Sequence, residues 1–166
     1  YAFAKGHSAS YAVESYQSLY LKAHYPLEYM VAVINNFGGF YSTEFYVHEA
    51  RKLGGIVEAP CVQQGDYPTV IHGTTIYLGF ILLNGLDETI GVTIGRERQE
   101  GGSFSSLTDF IDRVPIGIEQ LSLLIRIGAF RFTSVAKQTL LWEAHHMLKG
   151  HKPSAVPVTM PSLFKG

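Results

Sequence analysis

Glycine and proline punctuate this chain so closely that it must fold as a succession of short elements rather than a few long ones. Residues 9 to 24 carry Ala12, Tyr16, Leu19, Tyr20 and Ala23 at helical spacing with no Gly or Pro among them, which predicts a helix. Tyr25-Pro26 then breaks it, because the residue before proline is pushed out of the helical region while proline suits the first turn of a new helix. Leu27, Met30, Val31 and Ile34 follow at i, i+3, i+4, i+7, so a second helix with one buried face runs to about Asn36. Gly38-Gly39 closes it. Ser42 or Thr43 caps a third helix over residues 43 to 53, Glu44 favours its positive end, and Gly54-Gly55 stops it.

From Ile56 to Leu82 the pattern shifts to β-branched and aromatic residues, with Pro60 and Pro68 as breaks. His72-Gly73-Thr74-Thr75 reads as the turn of a short hairpin between Val70 and Phe80. Helical patterns return around 87 to 99, 106 to 113, 118 to 127 and 134 to 149, each set off by Gly or Pro. A weak echo relates the helix-turn-helix pairs 79 to 99 and 107 to 127. The stretch 150 to 166 holds Pro153, Pro157 and Pro161 without helical periodicity and is expected to be extended or disordered. The expected fold is mainly α with a small β-hairpin.

Length and composition narrow the class. A chain of 166 residues suits one compact core or two small adjoining ones, and 46% apolar against 16% charged residues is the balance of a folded globular chain. No stretch approaches the ~20 apolar residues of a membrane helix, and the start lacks a basic-then-apolar leader, so a cytoplasmic protein without membrane contact is expected. Cys61 is the single cysteine; it excludes an internal disulfide and a cysteine-rich zinc site and is expected to be a buried or half-buried thiol. The first residue is Tyr1 rather than Met, which points to a piece of a longer protein. A net charge of -1 offers no global attraction to nucleic acid, so any DNA contact must be local.

Particular residues go further. The run Phe3-Ala4-Lys5-Gly6-His7-Ser8-Ala9-Ser10-Tyr11-Ala12, then Ser15-Tyr16-Gln17, Leu21-Lys22-Ala23-His24-Tyr25-Pro26 and Glu28-Tyr29-Met30, closely resembles the fingers of bacterial DNA polymerase III alpha subunits. Glu49-Ala50-Arg51-Lys52-Leu53-Gly54, Pro60 and Asp66-Tyr67 continue the likeness, as do Gly101 to Phe110 with Arg113, and Ile125 to Phe130. The resemblance covers residues 1 to 133, and the 134 to 149 helix is consistent with it. Gly39-Phe40-Tyr41-Ser42 is similar to the mutagenesis-associated branch of the family, and the branch stays open. On this resemblance, residues 1 to 53 would be the C-terminal part of the fingers, 54 to 82 a connecting β-hairpin segment and 83 to 133 a tandem helix-hairpin-helix domain. A following helix (134 to 149) and a tail (150 to 166) complete the division.

Two candidate sites emerge. Lys5, His7, Ser8 and Ser10 crowd ahead of the first expected helix, where a cation, an imidazole, hydroxyls and free backbone N–H groups favour an anion. Read alone, this stretch fits Ser8 as a cap with Lys5 and His7 solvated; the resemblance implies instead that Lys5, His7 and Ser8 hold the triphosphate of an incoming nucleotide. Gly6 stands where the family usually has serine. The second site is the turn Leu83-Asn84-Gly85-Leu86-Asp87-Glu88. Helix-hairpin-helix modules grip a DNA backbone with a Gly-hydrophobic-Gly turn, and Gly85 and Leu86 fit it. Asp87 replaces the second glycine and sets a carboxylate where a phosphate would lie, with Glu88 beside it. Residues 83 to 133 carry Arg96, Arg98, Arg113, Arg126 and Arg131 against seven carboxylates, a net of -2, so counterion release has little to draw on. The plainer alternative is that Asp87 caps the next helix and the module is structural.

Other features favour bland explanations. Gly91 and Gly95, four apart, would let a neighbouring helix approach closely. His145-His146 point about 100° apart on a helix and cannot chelate one ion, so no metal site is expected, and the i, i+3 pair Asp109 and Asp112 reads as a solvated face. Trp142 and the many Tyr and Phe residues are candidate stacking platforms, yet most sit at core-like helical spacing. No catalytic residue is expected here. In the family the carboxylates that hold two divalent metal ions, Mg in type, lie in the palm, so this segment would need no cofactor of its own and would be inactive alone. The resemblance implies an intact DNA-directed DNA polymerase whose partners are DNA, deoxynucleoside triphosphate and replisome subunits including the sliding clamp. The alternatives are a non-enzymatic helix-hairpin-helix DNA-binding or scaffolding module and, more remotely, a small hydrolase, for which no nucleophile and base pair are found.

Overall fold

A computed structural model describes residues 5 to 38 and 41 to 149, with Lys5 described by its backbone alone. The expected 150 to 166 tail lies outside these residues. Among the described residues seven helices and a small sheet follow in order: α1 (Lys5–His24), α2 (Pro26–Asn35), α3 (Thr43–Lys52), β1 (Ile56–Glu58), β2 (Val70–His72), β3 (Thr75–Tyr77), a 3-10 turn (Phe80–Leu82), α4 (Glu88–Gly101), α5 (Leu107–Arg113), α6 (Ile118–Arg126), a second 3-10 turn (Arg131–Thr133) and α7 (Lys137–Leu148). The mainly α fold with a small β component is as expected.

Local chemistry sets most boundaries. Pro26 opens α2, and Ser42 caps α3 by accepting the Phe45 N–H. Gly54 takes φ +90° just past α3, a left-handed conformation that glycine adopts without a steric penalty. One boundary moves: α1 begins at Lys5, four residues ahead of the expected start at residue 9, so Lys5, His7, Ser8 and Ser10 lie inside the helix and Ser8 does not cap it. The hairpin also gains a strand. β2 and β3 pair antiparallel as expected, and β1 adds to the far side of β3 in parallel, with Val57 opposite Ile76. A pairing between residues so far apart leaves no local signature.

Two hydrophobic clusters organise the molecule. Leu27, Met30, Val31, Ala50 and Ile76 join α2, α3 and the sheet into one. Asn35 ties this unit together by donating to the Thr69 carbonyl (2.9 Å) and accepting from the Thr69 N–H (2.7 Å). The larger cluster runs from Val62 and Phe80 through α4, α5 and α6 to Leu140 and Ala144 of α7. At its centre Phe110 meets Phe104 (5.0 Å) and Phe130 (4.9 Å) edge to face, the arrangement favoured by the ring quadrupoles. Gly91 and Gly95 serve this packing differently from expectation. A side chain at Gly91 would lie 2.5 Å from the Tyr67 ring, and one at Gly95 would lie 2.5 Å from Asp66. The close neighbour is therefore the loop before β2, not another helix.

Candidate nucleic-acid interface

Two helix-hairpin-helix turns border the larger cluster and are joined by hydrogen bonds. The first links the Phe80–Leu82 turn to α4. Leu83 and Leu86 pack against the core while Asn84 and Gly85 face solvent, and Leu86 N–H donates to the Leu83 carbonyl (3.3 Å). Gly85 has φ +93°, so the chain reverses here at a position where a side chain would strain the backbone. The second turn, Val114 to Gly117, links α5 to α6. Val114 and Ile116 are buried, and Pro115 and Gly117 are exposed. Both turns thus set exposed residues between apolar anchors.

The weak sequence echo between 79 to 99 and 107 to 127 corresponds to this pair of turns. The signal of the second turn is Pro115-Ile116-Gly117 between two helical patterns.

A reciprocal pair of hydrogen bonds fixes the two turns to each other. Asp87 N–H donates to Gln120 Oε1 (2.9 Å), and Gln120 Nε2 donates to Asp87 Oδ2 (2.8 Å). Asp87 occupies the cap position of α4, yet its side chain makes no capping bond to that helix; its carboxylate is turned to α6 instead. The alternative in which Asp87 caps α4 holds for its position and not for its side chain. In α4 the Ile90 N–H donates to the Asp87 carbonyl (3.1 Å), while helix geometry gives the earliest N–H groups of α4 and α6 no partner within their helices, and both helix ends carry positive dipole charge. Such paired N-termini can hold anionic oxygens through the backbone. Glu88 and Glu119, exposed on the first turns, oppose that by Coulomb repulsion.

Three of the five arginines of this module are bound into the fold. Arg98, 17% exposed, donates to the carbonyls of Val62 (2.9 Å) and Gly65 (2.6 Å) and lies 3.7 Å from Asp66, pinning α4 to the loop before β2. Arg113 donates to the carbonyls of Glu97 and Gly102, pairs with Asp109 (3.4 Å) and covers the Phe104 ring at 4.4 Å. Arg131 donates to the Ala59 and Pro60 carbonyls at 3.0 and 3.1 Å and approaches Glu58 at 3.5 Å. Only Arg96 and Arg126 of the five are free of such carbonyl contacts among the described residues, and Arg96 leans on Glu97. The Ser105 backbone N–H, helped by Arg113, holds the Asp109 carboxyl below its usual range against an opposing contribution from burial.

The other sequence-derived residues are placed less completely. His7 and Ser10 are exposed on the first turns of α1; His7 meets Tyr11 edge to face (4.5 Å), and Ser10 donates to the Gly6 carbonyl. Ser8 is half-buried, and the Lys5 side chain is outside the described part. Most of α1 is open, with Tyr16 70% and Leu19 68% exposed. Cys61 is buried, as expected. Among the described residues no group of three His, Cys, Asp or Glu side chains is placed to hold a metal, and no helix is long and apolar enough to cross a membrane.

Residues 54 to 140 match the family model for the helix-hairpin-helix motif, and the chain belongs to that family. The likeness to DNA polymerase III alpha subunits seen in the sequence extends over nearly its whole length. The DNA polymerase III subunit alpha of Thermus aquaticus is 32% identical over 161 residues, covering 90% of this chain and 13% of its own length. That of Treponema pallidum is 30% identical, covering 99% of this chain and 14% of its own length. An error-prone DNA polymerase of Bdellovibrio bacteriovorus is 33% identical over 147 residues, 86% of this chain and 14% of its own length. The chain therefore matches a small part of each of these relatives, and both branches are among them.

Proposed function

We propose that this chain is part of a DNA-directed DNA polymerase of the DNA polymerase III alpha type, and that its paired hairpins contact the backbone of the template duplex. The observation that carries the reading is the coupling of the Gly85 and Gly117 turns through Asp87 and Gln120, which presents two helix N-termini together. Gly85, Leu86 and Asp87 form one contact and the Pro115 to Gly117 turn the other. With Arg98, Arg113 and Arg131 engaged inside the fold, the grip relies on backbone N–H groups and is weak in isolation.

Residues 1 to 53 act as the end of the fingers, with Lys5, His7 and Ser8 at the first turn of α1 meeting the triphosphate of the incoming deoxynucleotide. The exposed α1 face, Tyr16 and Leu19 included, is covered by the remainder of the polymerase. Residues 54 to 82 form the connecting segment, and 83 to 133 the helix-hairpin-helix domain. The palm supplies the carboxylates and two Mg ions for phosphoryl transfer, the sliding clamp and other replisome subunits are partners of the whole enzyme, and the protein works in the cytoplasm.

The decisive variant is Gly117→Glu. The space around Gly117 is open and its φ is -82°, so the fold tolerates a side chain there while a carboxylate enters the hairpin. Loss of duplex binding, read by anisotropy with circular dichroism unchanged, supports the reading; unchanged binding removes the second hairpin from the contact. A scaffolding module independent of any polymerase would instead lack a reading frame with clustered aspartates upstream of Tyr1.

A further inference from the structure

α7 carries a surface that the hairpins do not explain. It packs on the core through Leu140 and Ala144, both buried, and Lys137 Nζ donates to the Arg126 carbonyl at the other helix's end (2.8 Å). Trp142, the sole tryptophan of the chain, points away from that core and is 67% exposed. Its indole lies on the His146 ring with centroids 5.4 Å apart and planes within 3° of parallel, one helical turn apart. The expectation that the aromatic residues serve the core fails at this position. An exposed indole gives up the burial that normally stabilises this side chain, and its ring contact on the helix leaves one π-face available.

Polar and basic side chains follow it on the same stretch of chain. His145 and His146 are exposed on the last turn of α7 and Lys149 is exposed just past its end, at spacings of three, four and seven from Trp142, while Glu143 is half-buried. This contrasts with the hairpins, whose exposed first turns carry Asp87, Glu88 and Glu119. A flat ring held in place by a neighbour, with an exposed lysine and imidazole N–H donors beside it, matches a nucleobase with an adjoining phosphate. A duplex hides its base faces in the stack; a single strand offers them.

We propose that the Trp142–His146 face of α7 is a stacking platform for single-stranded nucleic acid, with Lys149 and His145 meeting the phosphates. It binds one or two bases without sequence preference, through residues that neither hairpin uses.

The test uses the whole 166-residue chain and oligothymidylate. Tryptophan emission reports only Trp142. Saturable quenching by oligothymidylate, with duplex of the same length and inorganic polyphosphate quenching far less, is the expected result. In anisotropy with a labelled oligonucleotide, Trp142→Ala weakens binding roughly 5- to 150-fold, the range of one base–aromatic stack, and Trp142→Phe retains most of it. Lys149→Glu weakens it as well, with circular dichroism unchanged in all three. Emission unquenched up to about 1 mM nucleotide, a range that covers weak complexes, overturns the proposal and assigns the indole to a protein contact. Equal quenching by polyphosphate, or full affinity in Trp142→Ala, overturns it too.

Discussion

Replacing Arg98 by alanine separates a structural arginine from a DNA-binding one. The guanidinium bridges the Val62 and Gly65 carbonyls at 2.9 and 2.6 Å and is 17% exposed, so its loss strips two partly buried acceptors of a charged donor. Hydrogen bonds to charged groups contribute about 1.5 to 3 kcal/mol each, and water entering the vacated space recovers part of that. The Asp66 contact at 3.7 Å adds less than about 1 kcal/mol. A net destabilisation of about 2 to 4 kcal/mol follows. In urea this lowers the unfolding midpoint by about 1 to 2 M at an m-value typical of small proteins. Helical circular dichroism would follow unfolding, and anisotropy would follow duplex binding under conditions where the variant stays folded. Affinity within twofold of the parent is expected. A variant of full stability that has lost duplex binding would refute the reasoning, because Arg98 would then be a phosphate ligand and not a clip.

Further perturbations probe other parts of the fold. Phe110→Ala empties the junction of three rings and should destabilise by about 3 to 5 kcal/mol in the same urea titration. At Gly79 an added methyl would lie 2.4 Å from backbone atoms of Pro68 and Thr69, which cannot swing aside, so Gly79→Ala should lose about 3 kcal/mol or more. Asp109 has a folded pKa below its unfolded one, so it contributes stability that is present above the unfolded value and lost as pH falls through the folded value. Asp109→Asn should therefore be less stable than the parent at neutral pH, with the gap closing below about pH 4, as thermal melts across pH would show. In the intact polymerase, Lys5→Ala should raise KM for nucleotide or lower kcat, and unchanged kinetics would remove Lys5 from the triphosphate site.

Much of the helical framework is legible in the sequence because its determinants are local. Ser42 as cap, Pro26 as opener and Gly54 as stop each act within a turn of their own position. The parallel addition of β1 to β3 is not legible, since Ile56 and Thr75 meet only after the loop between them has folded. Nor are the roles of the arginines. Composition counts Arg98, Arg113 and Arg131 as charges free for phosphates, whereas their partners are backbone carbonyls up to 72 residues away, and a carbonyl leaves no mark in a sequence. The first hairpin was visible through Gly85. The second, Pro115-Ile116-Gly117, departs from the Gly-hydrophobic-Gly form at its first position, and the side-chain partner of Asp87 is not legible because Gln120 belongs to a different helix. Trp142 shows a further limit: helical spacing places a residue on a face, but only packing tells whether that face is covered.

The most direct test of a backbone-led duplex contact is the salt dependence of duplex binding by the 166-residue chain. With most of the module's arginines tied to carbonyls, the expected dissociation constant at physiological salt is above about 10 μM, and log K should fall with log salt at a slope shallower than about -3. Submicromolar binding with a slope steeper than about -5 would mean that many cations meet phosphates, and would contradict the assignment of Arg98, Arg113 and Arg131 to the fold.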